Sequence, residues 1–345
     1  MKAGLFVFSL FHRFGAGLKN LLYGWRWIRP RRAALPVFSV GSLAWGGMGK
    51  TPLAMEILKY FIAQGVRPAL VTRGYRGAWE RKGGILSDGR RPFGDWRQAG
   101  DEAYLTARRF PQAGVFVGKH RILSCRQAQA AGFDLAVLDD GFQHRKLRRD
   151  LDVVIFDPDE KAALREPLSG LKRANLILLP ETSGVEIQIK VSKWSPGAMV
   201  LRYSTRPLAF YRINEEGAEE ALDLELFRGR RALAFCGIAR PERFFVMLEA
   251  MGLRLLERMT FPDHHPYPSA SWRRVRGRAD ALKPEAVITT EKDAVKLLNR
   301  PDLASGQAGP AKALALYALR VEPVLPPEFF RAIDSALKVA GGGRT

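Results

Sequence analysis

Residues 44 to 51, Ala44-Trp45-Gly46-Gly47-Met48-Gly49-Lys50-Thr51, constrain this chain more than any other stretch. The apolar run Leu35-Pro36-Val37-Phe38-Ser39-Val40 predicts a strand entering that loop, and Thr51 to Gln64 predicts an amphipathic helix leaving it. A strand, a glycine loop and a helix that opens on Lys-Thr together make a phosphate cradle. Small residues let successive backbone N–H groups turn inward, and the helix N-terminus adds the positive end of its dipole. Lys50 then reaches the outer phosphates and Thr51 offers a hydroxyl to Mg²⁺. Ala44 stands where glycine is usual, a change that costs little unless φ is positive there.

The same pattern repeats downstream. Buried-strand candidates at Ala69 to Thr72, Val115 to Val117, Leu135 to Leu138, Val153 to Phe156 and Leu176 to Leu179 alternate with helical stretches. That alternation predicts an α/β fold: a largely parallel sheet of the P-loop NTPase kind with helices on both faces, over residues 33–196. After Pro180 the rhythm breaks. Val200 to Tyr203 and Leu208 to Ile213 read as two extended segments around Ser204 to Pro207, a two-stranded linker over 197–214. A second, smaller α/β domain is expected over 215–345. It has strands at Arg231 to Cys236, Ala286 to Thr289 and Ala313 to Leu319, a helix at Glu242 to Met251, and a closing helix from Pro326 to Ala340.

Lys plus Arg total 55 against 35 Asp plus Glu, a net charge of +20, so the surface attracts anions. Charge alone does not choose among nucleic acid, acidic lipid and a phosphorylated substrate. Residues 1–32 narrow the choice, with Lys2, Arg13, Lys19, Arg26, Arg29, Arg31 and Arg32, no acid, and interleaved Phe, Leu, Tyr and Trp. The longest apolar stretch there, Ala3 to Phe11, is well short of the roughly 20 residues a spanning helix needs. The segment therefore reads as an interfacial one that meets anionic headgroups with its bases and the acyl boundary with its aromatics. A cleaved signal peptide and a helix packed on its own domain also fit these residues. No aromatic and basic track of the kind that carries single-stranded nucleic acid stands out, so no nucleic-acid partner is expected. Cys125 and Cys236 lie far apart and outside any metal-like spacing, which predicts buried thiols in a reducing compartment.

Several polar groups fall where an open α/β sheet binds its ligand. Leu135 to Leu138 ends in Asp139 and Asp140, the place where a phosphate-loop protein holds Mg²⁺ beside its Ser/Thr, although two acids at a strand end also suit a turn. Gln143, His144 and Arg145 follow at once. Asp101 and Glu102 precede a helical stretch, Ala103 to Arg109, so Asp101 reads plainly as an N-cap. Phe261-Pro262-Asp263-His264-His265-Pro266-Tyr267 is turn-like and holds two of the five histidines, with no third ligand nearby to complete a zinc site.

Taken in order, Ser39 to Leu43, Gly46 to Pro52, Thr72-Arg73-Gly74-Tyr75, Gly100-Asp101-Glu102, Leu138 to His144, Phe261 to His265 and Thr290-Glu291-Lys292-Asp293 resemble the tetraacyldisaccharide 4′-kinase (lipid A 4′-kinase) family over nearly the whole chain. The resemblance implies an enzyme at the cytoplasmic face of the inner membrane. It moves the γ-phosphate of ATP, with Mg²⁺, to the 4′-hydroxyl of an acylated glucosamine disaccharide 1-phosphate. It assigns Ala44 to Thr51, Glu102, Gln143 and His144 to the nucleotide, with Lys50 on the β/γ-phosphates. Thr51, Asp139 and Asp140 go to the metal, and Asp101 is the proton acceptor, paired with His264 or its neighbour His265. The site is then expected between the domains, with closure on binding. Ser42, where the family commonly has Asn, and Met48, where a small residue is usual, depart from the pattern and leave the loop's side-chain contacts open. The residues alone also fit a GTPase or a nonenzymatic nucleotide-gated adaptor, although a guanine-type Asn-Lys-x-Asp motif is missing. The oligomeric state is not legible.

Overall fold

The structure, a computed structural model, describes residues 29–44, 46–47, 49–157, 164–213, 219–298 and 316–342. Trp45, Met48 and the basic aromatic segment up to residue 28 lie outside them. Among the described residues the first elements are β1 (Val37–Ser42), α1 (Lys50–Ala63), β2 (Pro68–Thr72), α2 (Trp79–Lys82), β3 (Gly84–Asp88), α3 (Trp96–Ala99), α4 (Asp101–Arg109) and β4 (Gly114–Val117). It continues through α5 (Arg121–Ala130), β5 (Leu135–Asp139), β6 (Leu151–Ile155), β7 (Leu176–Pro180), α6 (Val185–Trp194) and β8 (Met199–Ile213). Then come β9 (Glu219–Leu222), β10 (Arg231–Cys236), α7 (Pro241–Ala250), β11 (Arg254–Thr260), α8 (Ser269–Leu282), β12 (Ala286–Thr290), α9 (Glu291–Ala294), β13 (Leu316–Val324) and α10 (Pro327–Gly342).

These residues fall into two compact units, one within Met1–Thr205 and Pro323–Thr345, the other within Arg206–Glu322. In the first unit the strand order is β8-β7-β6-β1-β5-β2-β4-β3, parallel throughout except that β3 runs against β4. Every residue of β1, β2, β4, β5 and β6 is buried, which is why they read as largely apolar runs. The register Val40↔Asp139 sets the ends of β1 and β5 side by side, so the loop after β1 opens beside the acids after β5. Over the sheet lies α1, burying Ala54, Ile57, Leu58 and Phe61 at helical spacing, with Phe61 6.0 Å from the Phe38 ring. The core reaches back to Ala33 and Leu35, both buried, and Arg31 forms a bridge with Leu147.

The edge strand β3 escaped the sequence reading because its ladder is short, glycine-flanked and shifted in register between Ile85 and Ser87, leaving no apolar run to see. Expectation also fails at 199–213, where no turn interrupts the chain around Ser204 to Pro207. One strand, β8, runs straight through, pairing with β7 as far as Tyr203 and with β9 from Phe210 onward. Pro207 sits between the stretch that pairs with β7 and the stretch that pairs with β9, a place that tolerates a missing N–H donor.

The second unit orders β11-β10-β12-β13-β8, with β9 on β8; β11, β10, β12 and β13 pair in parallel. Residues alternate by face along β10: Ala232, Ala234 and Cys236 join Phe210, Phe227, Phe244 and Phe245, while Leu233 and Phe235 join Phe261, Tyr267 and Trp272. The arginine-rich α8 was not foreseen, because it buries only Trp272, Val275 and Ala279. The closing helix α10, expected with the second domain, belongs to the first unit. Its Asp334 accepts a 2.6 Å hydrogen bond from the Tyr60 hydroxyl of α1, and Phe330 stacks 4.7 Å from the Tyr60 ring. Both thiols are fully buried, as expected, and burial pushes each up to about 12.

Candidate active site

The helix α1 starts on a glycine with positive φ: Gly49, at φ 78°, is its N-cap. Only a residue without Cβ adopts that backbone cheaply, and among the described residues no atom beyond the chain neighbours lies within 4 Å of where a Cβ would stand. Lys50 opens the helix. Its Nζ donates to Gly46 O at 3.4 Å and lies 3.6 Å from Asp140 Oδ1. Thr51, almost fully buried, donates from Oγ1 to Asp139 Oδ2 at 2.9 Å.

Asp139 is buried, and its other oxygen, Oδ1, has no hydrogen-bond partner among the described residues. Burial raises its pKa, the negative charges of Glu102 and Asp140 raise it further, and the Thr51 hydroxyl and Lys50 pull it back only in part. Three acids so grouped, with an orphaned carboxylate oxygen beside a threonine hydroxyl, suit a hard cation with oxygen ligands. Thr51 and Asp139 are the residues that fit Mg²⁺.

Asp140 is differently engaged. It sits at φ 53° and accepts two hydrogen bonds from Arg165 Nη1, at 2.7 and 2.8 Å. Burial works to raise its pKa, but Lys50 and Arg165 outweigh burial and hold the carboxyl below its usual range. Asp140 thus serves as counterion to two protein cations, a tie the sequence did not reveal, because Arg165 lies 25 residues downstream in no recognisable motif. Gln143 is likewise tied down: its Nε2 donates to Ser42 O and to Glu166 Oε1, both at 2.9 Å. The backbone N–H of His144 closes a turn on Gly141 O at 2.8 Å.

Arg121 is the other cation the sequence reading passed over. It opens α5, is 4 % exposed, and donates from Nη1 to Gly118 O at 2.7 Å. Burial lowers its pKa to about 10 against the opposing pull of Asp140 and Asp139. A buried guanidinium beside two acids, at the carboxyl end of a parallel strand, can take a phosphate oxygen. Its position shortly after the apolar run Val115 to Val117, beyond Gly118-Lys119-His120, was the available signal.

Asp101 is buried and is the first residue of α4 rather than its cap. Gly100, at φ 90°, takes the cap position, and Asp101 Oδ1 accepts from the Glu102 N–H at 2.9 Å. The N-cap expectation is thereby corrected. A carboxylate there keeps the favourable helix dipole.

In the second unit the two adjacent histidines have separate employments. His265 stacks on Phe261 at 4.9 Å, its Nε2 lies 2.8 Å from Ser271 Oγ, and burial lowers its pKa. His264 stands at φ 59°, a left-handed conformation that costs a residue with Cβ roughly 1–2 kcal/mol. Its Nε2 meets Lys292 Nζ at 3.2 Å, and Lys292 also pairs with Asp263 at 3.3 Å. The same Nε2 also lies 3.7 Å from Asp263 Oδ2. Thr290 to Asp293 caps α9, with the Thr290 hydroxyl accepting from Asp293 N, which places Lys292 beside that ring.

The tetraacyldisaccharide-1-P 4′-kinase family matches residues 1–338. The tetraacyldisaccharide 4′-kinase of Syntrophus aciditrophicus is 36% identical over 339 residues, covering 92% of this chain and 88% of its own. That of Anaeromyxobacter dehalogenans is 37% identical, covering 94% and 88%. A crystal structure of LpxK from Aquifex aeolicus in complex with ATP superposes with a TM-score of 0.72 at 25% identity, covering 98% of each chain.

Proposed function

The chain belongs to the tetraacyldisaccharide-1-P 4′-kinase family, and from that premise we propose how its residues divide the work of phosphoryl transfer. It is a phosphotransferase of lipid A synthesis that carries the γ-phosphoryl group of ATP to the 4′-hydroxyl of a tetraacylated disaccharide 1-phosphate. Such a transfer demands in-line positioning and neutralisation of charge far more than covalent chemistry. The Gly46 to Gly49 backbone and the α1 N-terminus hold the phosphates, and Lys50 neutralises charge on the transferring group. Thr51 and Asp139 would hold Mg²⁺, which would supply further neutralisation of the phosphate oxygens. Asp140, fixed by Arg165, keeps Lys50 in place. Asp101 takes the proton of the sugar hydroxyl, with His264 as its partner in that task. His264 is preferred to His265 because the His265 ring is already committed to Phe261 and Ser271.

The observation that carries this reading is the 2.9 Å bond from Thr51 to Asp139, whose second oxygen is buried beside the phosphate loop without a hydrogen-bond partner among the described residues. Incubation with γ-labelled ATP and the acylated disaccharide 1-phosphate is expected to put label at the 4′-position. Label released only as free phosphate would mean an NTPase, and bound nucleotide without turnover an adaptor.

The lipid substrate requires work at a membrane, and the described residues contain no helix long and apolar enough to cross one. The basic, acid-free segment is proposed as an interfacial anchor on anionic lipid at the cytoplasmic face, where ATP is. Because Arg31 and Ala33 already belong to the folded unit, the deletion that tests this removes residues 1–28. It is expected to release the enzyme from anionic vesicles, with about 1 kcal/mol lost per basic residue near the surface. Activity on vesicle-embedded substrate should fall further than activity on detergent-dispersed substrate. Equal loss in the two assays would make the segment part of the catalytic unit instead.

A further inference from the structure

A buried ion pair lies under the loop that carries His264, and no step above uses it. Asp293 is fully buried, Lys296 is 2 % exposed, and their Oδ1 and Nζ atoms meet at 2.8 Å. Stability explains such a pair poorly, since exchanging both members for apolar residues is often neutral or favourable. The explanation lies with the other carboxylate oxygen. Oδ2 accepts from Gly237 N and from the Thr290 hydroxyl, each at 2.8 Å. Gly237 in turn accepts from the backbone N–H of His264 through its carbonyl, at 3.1 Å.

The contact with Gly237 is close on every side. A Cβ added there would lie 3.0 Å from Pro262 O and 3.1 Å from both His265 Cβ and the Tyr267 hydroxyl. The 261–267 loop is thus laid directly on the Gly237 backbone, and that backbone is gripped from beneath by Asp293. Within the loop both His264 and Tyr267 have positive φ, at 59° and 50°. Such conformations persist only where the surroundings over-determine them, and they gather at functional sites. A carboxylate suits this place because it accepts from Gly237 and Thr290 on one oxygen while Lys296 holds the other.

We propose that Asp293 is a positioning residue for the phosphoryl transfer: anchored by Lys296, it fixes Gly237 and, through Gly237, the left-handed turn that presents His264. The proposal rests on the reading of His264 given above.

Because Asp293→Ala alone would strand a buried lysine, the test uses Asp293→Ala with Lys296→Met, which removes both charges together. This variant is expected to fold and to bind ATP as the wild type does, while kcat falls by up to about 10²-fold, the scale of a displaced catalytic group. Gly237→Ala, which pushes on the loop with the ion pair intact, is expected to do the same. Asp293→Asn with Lys296→Met keeps an oxygen for Gly237 and should restore most of the lost kcat. In a His264→Ala background the first two sets of changes should add little, because groups that act through one another lose activity non-additively. Wild-type kcat in the folded variants, or a full further loss in the His264→Ala background, would overturn the proposal. Wild-type kcat for His264→Ala alone removes the proton-acceptor reading itself, and the positioning role with it.

Discussion

Asp101→Ala is expected to lower kcat by roughly 10²- to 10⁴-fold, the usual contribution of a positioned general base. The substitution should leave the fold intact. The α4 cap belongs to Gly100, so Asp101→Ala removes a hydrogen bond to the Glu102 N–H but not the cap itself. His264→Ala is expected to act on the same step. If the two residues form one proton-accepting unit, the double variant will be little worse than either single one, as for any groups that act together. Multiplying losses would show independent roles. Repeating the cycle with His265→Ala should give additive and milder losses, since that ring packs on Phe261 and bonds Ser271.

Lys50→Ala is expected to lower kcat by roughly 10²- to 10³-fold, the effect of losing one preorganised charge at a developing anion. The surroundings make this a clean measurement. Asp140 would keep its two hydrogen bonds from Arg165, so no carboxylate is left stranded by the change. Thermal unfolding should therefore move little while turnover collapses. A purified Lys50→Ala enzyme with wild-type kcat would remove Lys50 from the chemistry.

The parallel sheet of the first unit was legible because strands buried on both faces are largely apolar along their length. Val37 to Val40, Ala69 to Thr72 and Leu135 to Leu138 all announced themselves in that way. The elements that were missed bury little. β11 alternates exposed and half-buried residues up to Arg258 and buries only Met259, and α8 presents arginines around a narrow stripe of Trp272, Val275 and Ala279. At the site, Lys50, Thr51 and Asp139 could be read because a phosphate loop and a strand-ending acid are local patterns. Arg165 and Lys296 could not. Each matters through a partner far along the chain or through burial, and neither property is written in adjacent residues. The β8 turn was misread for a related reason, because Pro207 signals a break only where a strand must donate its N–H at that point.

The irregular ladder of β3 bears on a different property, the behaviour of the protein in concentrated solution. An outermost strand displays unpaired N–H and C=O groups and invites a second molecule to extend the sheet. Here β3 spans only Gly84–Asp88, its register slips between Ile85 and Ser87, and Asp88 closes it with a carboxylate. A strand so short, kinked and charged makes a poor template. The same irregularity that hid it from the sequence reading therefore discourages self-association along that side of the sheet.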